Sequence, residues 1–83
     1  MIDVRTVSEF KNGFVQDAIN IEWQDISSIK DEFEKNQKIY LYCRSGNRSG
    51  KAGDILIELG FKNVENLGSL ENASKYLKKK VIK

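Results

Sequence analysis

The segment Lys38–Gly60 carries the strongest constraint on how this chain can fold. It begins with the continuous apolar run KIYLYC, which is typical of a central parallel strand that is covered on both faces. The glycine- and serine-rich loop RSGNRSGKAG follows, and four apolar residues then recur at helical spacing: Ala52, Ile55, Leu56 and Leu59. Because a buried parallel strand needs parallel neighbours and helices to cover it, the rest of the chain must supply both.

Strand and helix patterns do alternate along the rest of the chain. The stretches MIDV, AINIEW and FKNVENL are typical of short strands. Thr6 and Glu9 form a capping box that predicts a short helix, a second helix is predicted over 25–35, and a last helix is predicted after Ser69 as its N-cap. This alternation predicts one α/β domain over residues 1–83, with a small, mostly parallel sheet flanked by helices on both faces.

The composition excludes several kinds of chemistry. The chain has one cysteine and no histidine, so an internal disulfide, Ser-His-Asp or Cys-His catalysis and most metal sites are excluded, and no cofactor is implied. Its 14 basic and 12 acidic residues give a net charge of +2, which is too weak to predict nucleic-acid binding. The basic tail KYLKKKVIK is expected to be a solvated helix end, and no stretch approaches the roughly 20 apolar residues of a membrane span.

The loop after the apolar run combines the only thiol with features that favour an anion. Cys43 follows the predicted strand at its carboxyl end, where ligands bind in open α/β sheets. The first N–H groups of the next helix face the loop without internal partners. Gly46 and Gly50 permit a tight turn, and Arg44 and Arg48 add positive charge.

Such surroundings lower the pKa of a cysteine thiol, because each of them stabilises the thiolate. The residues therefore predict an anion-binding loop with a nucleophile at its base. They leave open whether the anion is a thiolate, a persulfide, a sulfur oxyanion or a phosphate. The alternative is that Cys43 is a small core residue and that the loop is an ordinary turn.

Three stretches of the sequence resemble a rhodanese domain, in particular the minimal single-domain type of phage-shock protein E. IDVRTVSEF resembles the opening DVR…EF segment of that family, and DAINIEW resembles its GAINIP segment. CRSGNRSGKAGDILIELGFKNVENLGSL resembles its active loop, the helix after it and its closing segment. The resemblance implies the rhodanese fold and a sulfurtransferase, which takes a sulfane sulfur from a donor such as thiosulfate, holds it as a cysteine persulfide and gives it to cyanide or a thiol.

The resemblance also implies roles for the residues of the loop. Cys43 is expected to be the nucleophile. The backbone amides of the next six residues are expected to cradle the outer sulfur: Arg44, Ser45, Gly46, Asn47, Arg48 and Ser49. Arg48 is expected to close the loop and Arg44 to face incoming anions. The hydroxyls of Ser45 and Ser49 are expected to donate hydrogen bonds, although Ser49 is equally suited to be the N-cap of the helix.

The opening segment is expected to support the loop. Asp3, Arg5 and Glu9 match the family pattern there, and at least one of these carboxylates is expected to pair with Arg48. Surface charge and helix capping are the alternative explanation. Three positions depart from the pattern and leave the shape of the site's rim open: Phe14, Asp17 and Glu22.

Two other functions stay open at this stage. Phosphatases of the cell-division-cycle type share the architecture, but their loops have one residue more between cysteine and arginine than the four between Cys43 and Arg48. The other is a non-catalytic binding or regulatory module, which usually lacks the cysteine.

The expected partners are small molecules. They are an anionic, thiosulfate-like sulfur donor and an external thiol or cyanide acceptor, since no second cysteine is present to take the sulfur. Neither nucleic acid nor membrane is expected, and nothing in the sequence demands a second subunit, so we expect a monomer. The compartment stays open between the periplasm, with a leader removed, and the cytoplasm.

Overall fold

Four parallel strands form the central sheet of the computed structural model, which describes all of residues 1–83. The strands of the chain are β1 (Ile2–Asp3), β2 (Phe14–Val15), β3 (Ile19–Asn20), β4 (Lys38–Cys43), β5 (Asn63–Ser69) and β6 (Val81–Ile82). The sheet has the order β3-β1-β4-β5, and every pairing within it is parallel. The predicted α/β architecture with a mostly parallel sheet is therefore confirmed.

Three α-helices and one 3₁₀ helix cover the sheet. They are α1 (Val7–Lys11), the 3₁₀ helix (Trp23–Asp31), α2 (Asn47–Glu58) and α3 (Leu70–Leu77). The capping box at the start of α1 and the Ser69 cap of α3 are both present, as predicted. None of these helices is both long enough and apolar enough to span a membrane.

The side chains of β4 show how both faces of the sheet are buried. Ile39, Leu41 and Cys43 belong to an apolar cluster with α2 and the 3₁₀ helix. Tyr42, on the opposite face, belongs to a second cluster that includes Ala73 of α3. Because successive side chains of a strand point to opposite faces, one apolar strand supplies both clusters.

Two predicted segments differ from the structure. The segment expected as a helix over 25–35 is a 3₁₀ helix that starts at Trp23 and ends at Asp31, and its N-cap, Glu22, makes no side-chain capping bond. Its Ile26 and Ile29 are fully buried and pack into the apolar core.

The basic tail is the other difference. It was expected to be a helix end, but α3 stops at Leu77 because Lys78 takes a left-handed conformation with φ 56°. The chain then runs back as β6 and pairs antiparallel with β2, Val81 opposite Val15. Since β2 is the first strand after α1, this two-stranded sheet of β2 and β6 ties the C-terminal tail to the N-terminal quarter of the chain.

Candidate active site

A sharp turn between β4 and α2 places Cys43 beneath the first turn of the helix. Gly46, the residue before α2, has φ 102°, a left-handed conformation that side chains rarely adopt. This conformation brings the Gly46 amide within 2.9 Å of the Cys43 Sγ as a hydrogen-bond donor. A Cβ at this position would lie 3.4 Å from the Cα of Gly68, an ordinary contact, so it is the backbone conformation that favours glycine here.

The surroundings of the Cys43 sulfur stabilise its charged form. Burial raises the pKa of the thiol, but hydrogen bonds from the side chain and backbone of Ser49 and from the backbone of Ser45 and Gly46 outweigh it. The net effect is a Cys43 pKa below its ordinary value. The Ser49 hydroxyl lies 3.4 Å from Sγ and is itself fully buried. Because these donors stabilise the thiolate, the site needs no imidazole to generate it.

One of the six amides that were expected to form the cradle, the N–H of Gly46, donates to the sulfur of the free thiol, and backbone hydrogen bonds from Ser45 and Ser49 contribute to its lowered pKa. The amides of the other three residues make no hydrogen bond to Sγ: Arg44, Asn47 and Arg48. Ser49 lies inside α2 and not before it, so its hydroxyl is directed to the sulfur side of the loop and does not cap the helix.

The loop is closed over the thiol. Cys43 has no exposed surface. Three residues that follow Cys43 in the chain are themselves exposed: Arg44, Ser45 and Asn47.

Arg48 is held from outside the loop by Glu9 of α1. Its guanidinium donates from Nη1 to Oε1 over 2.6 Å and from Nη2 to Oε2 over 3.0 Å. Glu9 also accepts from the backbone N–H and hydroxyl of Thr6, which are part of the capping box. The hydrogen bond from Arg48, aided by those from Thr6, lowers the pKa of Glu9 to about 2. The predicted carboxylate partner of Arg48 is thus Glu9.

Asp3 and Arg5 do not join this pair but bind each other at the carboxyl end of β1. Arg5 Nε donates to both carboxylate oxygens of Asp3, at 2.9 Å and 3.0 Å. Arg5 also donates to the carbonyl of Gly13 over 2.6 Å, and Asn20 donates to the backbone carbonyls of both residues. The pair is buried, and its contacts fix the segment after α1 to the sheet beneath the loop.

A groove of about 350 Å³ opens beside the loop. Arg44 lines it together with Glu9 and Arg5, and the C-terminal tail contributes Lys83. Arg44 forms no ion pair, so its positive charge is available to a ligand in the groove. The groove does not reach the sulfur itself, which is consistent with the closed loop.

Asn66 also belongs to the site, although no prediction from the sequence included it. This residue of β5 accepts from the Ser49 hydroxyl at 2.7 Å and donates to the Gly46 carbonyl at 3.0 Å. The one signal in the sequence was its position near the end of FKNVENL, because the ends of neighbouring parallel strands meet at the same edge of a sheet. This position points to the site only once β5 is known to pair with β4, which the sequence alone does not show.

The site and the fold agree with what comparisons with known proteins find. A family model described as a rhodanese-like domain matches residues 1–75. The thiosulfate sulfurtransferase PspE of Escherichia coli (strain K12) is 37% identical over 76 residues, which cover 86% of this chain and 70% of that protein. A solved structure described as a rhodanese with anions from E. coli superposes with a TM-score of 0.85 at 33% identity, covering 99% of this chain and 94% of that one.

Further relatives are longer than this chain. A protein named sulfurtransferase from Allochromatium vinosum is 34% identical over 67 residues, which cover 81% of this chain and 63% of that protein. A putative mitochondrial thiosulfate sulfurtransferase of Schizosaccharomyces pombe is 37% identical over 81 residues, covering 80% of this chain and 56% of that protein. The chain thus spans between about half and two thirds of the length of these two relatives.

Proposed function

Because the chain belongs to the rhodanese-like domain family, we propose that it is a thiosulfate sulfurtransferase that carries a sulfane sulfur as a persulfide on Cys43. The names of its relatives support sulfurtransferase activity in general. The choice of thiosulfate as the donor, the persulfide and the role of each residue belong to the proposal.

The observation that carries the proposal is the set of donors around a buried sulfur. The Gly46 N–H at 2.9 Å and the Ser49 hydroxyl at 3.4 Å act on one atom, in a chain without histidine. Hydrogen-bond donors that are fixed in a water-excluded site stabilise negative charge more strongly than the same donors in water. An inert core cysteine has no need of such donors, whereas a thiolate nucleophile does.

The first half of the reaction loads the sulfur. The Cys43 thiolate attacks the sulfane sulfur of thiosulfate, and a new S–S bond forms while the bond between the sulfane sulfur and the sulfonate breaks. The electron pair of the broken bond leaves with sulfite. The negative charge now lies on the outer sulfur of the persulfide, and we expect the amides of Arg44, Asn47 and Arg48 to face this outer sulfur, since they do not contact Sγ.

The second half passes the sulfur to an acceptor. Cyanide or an external thiolate attacks the outer sulfur, the persulfide S–S bond breaks, and its electron pair returns to Cys43 as the thiolate. No proton has to be moved in either half when cyanide is the acceptor, which suits a site without a general base. The acceptor comes from outside because the chain has no second cysteine.

Donor and acceptor reach the sulfur through the groove beside the loop. Arg44 lies in the groove and attracts the dianionic donor, while Glu9, which also lines the groove, holds Arg48 in place. The exposed part of the loop moves aside to uncover Cys43. During that movement, the two hydrogen bonds from Arg48 to Glu9 keep the end of the loop next to α2 in place.

Thiocyanate production from thiosulfate and cyanide tests the proposed function. We expect steady formation of thiocyanate by the wild-type chain and none above the uncatalysed rate by Cys43→Ser, which preserves the size of the side chain. A circular-dichroism spectrum shared by the two proteins serves as the control for folding. The proposal is wrong if the wild type forms no thiocyanate, or if Cys43→Ser forms it equally fast. Hydrolysis of p-nitrophenyl phosphate by the wild type would indicate the phosphatase instead.

A further inference from the structure

The Ser49 hydroxyl lies between two acceptors and has only one proton to donate. Its Oγ is 2.7 Å from Asn66 Oδ1 and 3.4 Å from Cys43 Sγ. A serine hydroxyl donates one hydrogen bond, so at any moment it serves either the amide oxygen or the sulfur. Ser49 is fully buried, and water therefore does not replace either acceptor.

The orientation of the Asn66 amide is fixed by the backbone around it. Its Nδ2 donates to the Gly46 carbonyl at 3.0 Å, and its Oδ1 accepts from the Gly68 amide at 2.8 Å. A flipped amide would set Nδ2 against the Gly68 N–H and Oδ1 against a carbonyl, so both contacts would become unfavourable. The oxygen therefore faces Ser49, and Asn66 presents a permanent acceptor to its hydroxyl.

We propose that Asn66 is a positioning residue that competes with Cys43 for the Ser49 hydroxyl proton. While Cys43 is a neutral thiol, the hydroxyl donates to Asn66, which is the closer and stronger acceptor. When Cys43 is a thiolate, the hydroxyl turns to the sulfur, because a hydrogen bond to a charged acceptor is roughly twice as strong as one between neutral groups. Loading moves the charge to the outer sulfur of the persulfide, and the hydroxyl returns to Asn66.

This competition limits how far the Cys43 thiolate is stabilised. Each time the thiolate forms, the Ser49–Asn66 hydrogen bond is lost, and that loss opposes ionisation. The inference rests on the proposed role of Cys43 as a thiolate nucleophile. Its benefit to such an enzyme is that the sulfur is charged enough to attack the donor, but not so stabilised that it becomes a poor nucleophile.

Titration of the thiolate absorbance near 240 nm tests the inference without any sulfur transfer. The signal is specific because Cys43 is the only cysteine, and Cys43→Ser provides the blank. Asn66→Leu removes the acceptor while a side chain of similar size keeps water from Ser49. We expect the thiolate-to-thiol ratio at a fixed pH below the midpoint to rise by about twofold to tenfold, the worth of one net hydrogen bond. Asn66→Ala is the second variant, should the leucine prevent folding.

Two comparisons separate competition from a general disturbance of the fold. Asn63→Leu makes the same change at another exposed asparagine of β5, whose side chain donates only to Asn36, and it is expected to leave the midpoint unchanged. In a Ser49→Ala background, Asn66→Leu is also expected to have no effect, because no hydroxyl is left to share.

The inference is overturned if Asn66→Leu leaves the midpoint in place or moves it to higher pH, or if the shift persists without the Ser49 hydroxyl. These outcomes are independent of the proposed function. A chain that forms no thiocyanate but shows the Ser49-dependent shift would refute sulfur transfer and support the competition for the Ser49 proton. A chain that forms thiocyanate without this shift would support sulfur transfer and refute the competition.

Discussion

Arg48 of α2 and Glu9 of α1 form a two-point ion pair between segments that are 39 residues apart in the sequence. The shorter of its two hydrogen bonds is 2.6 Å, and both side chains are more than two thirds buried. The pair ties the start of α2 to the capping box of the first helix, so the position of the loop over Cys43 depends on the N-terminal segment. This dependence explains how a short loop with two glycines can hold one geometry.

Replacement of Glu9 by glutamine is expected to remove a pH-dependent part of the stability. The pKa of Glu9 falls from its ordinary value of 4.5 to about 2 in the folded chain, so the carboxylate stabilises the fold fully above pH 4.5 and loses that contribution as the pH falls toward 2. We expect the wild type to lose about 1–2 kcal/mol more than Glu9→Gln between these pH values, since the pair is partly solvated. Urea unfolding at each pH measures the difference.

Glu58→Gln is the matched control for this experiment. Glu58 is an exposed carboxylate of α2 that forms no ion pair, and its variant is expected to follow the wild type across the same pH range. If Glu9→Gln also followed the wild type, the pair with Arg48 would not stabilise the folded chain.

Two glycines of the loop region are expected to respond oppositely to alanine. Gly46→Ala forces a side chain into a left-handed conformation with φ 102°, at a cost of about 1–2 kcal/mol, and displaces the N–H that is donated to Cys43. Gly50→Ala lies within α2, where its Cβ meets Asn66 at an ordinary 3.6 Å, and is expected to stabilise the chain by about 0.5–1 kcal/mol. Thermal unfolding and the Cys43 titration measure both effects.

The thiolate titration separates the two roles of Gly46. Only Gly46→Ala is expected to move the midpoint of Cys43 to higher pH, because only this change disturbs a donor to the sulfur. A lower midpoint in Gly46→Ala would mean that its N–H does not stabilise the thiolate.

The buried pair of Asp3 and Arg5 is expected to matter for stability more than any surface pair. Asp3 has no exposed surface, so Asp3→Asn leaves the Arg5 charge buried without its partner, at a cost of about 3 kcal/mol. Glu65→Gln breaks the exposed pair with Lys38 by the same chemical change and is expected to cost less than about 1 kcal/mol. The midpoints of urea unfolding compare the two, and equal costs would refute the structural role of Asp3.

Reversal of the charge at Arg44 is expected to weaken binding of the donor. Arg44→Glu places a negative charge in the groove that the thiosulfate dianion enters, and KM for thiosulfate is expected to rise about tenfold with a smaller change in kcat. Lys62→Glu makes the same change in net charge at an exposed residue outside the groove. If both variants raised KM equally, the effect would come from net charge and not from a contact with Arg44.

Local signals in the sequence predicted the elements that carry the site. The apolar run before Cys43, the helical spacing after it and the caps at Thr6 and Ser69 depend on neighbours within a few residues, and each of them matches the structure. The family resemblance, carried by the opening segment and the loop, pointed to a carboxylate partner for Arg48, which proved to be Glu9.

Long-range relations were out of reach of the same signals. The pairing of β6 with β2 depends on two-residue strands that are too short to show a period, and the tail resembled a helix end because its lysines favour helices. Asn66 acts on the loop only because β5 lies beside β4, a neighbourhood that no local pattern encodes. The burial of Cys43 likewise follows from how the loop folds back, and not from its composition.

The intact mass of the chain after incubation with thiosulfate and removal of the excess tests the central claim most directly. We predict a gain of one sulfur atom, which is lost again on addition of cyanide and does not occur in Cys43→Ser. An unchanged mass in the wild type, or the same gain in Cys43→Ser, would contradict the claim that this loop carries sulfur on Cys43.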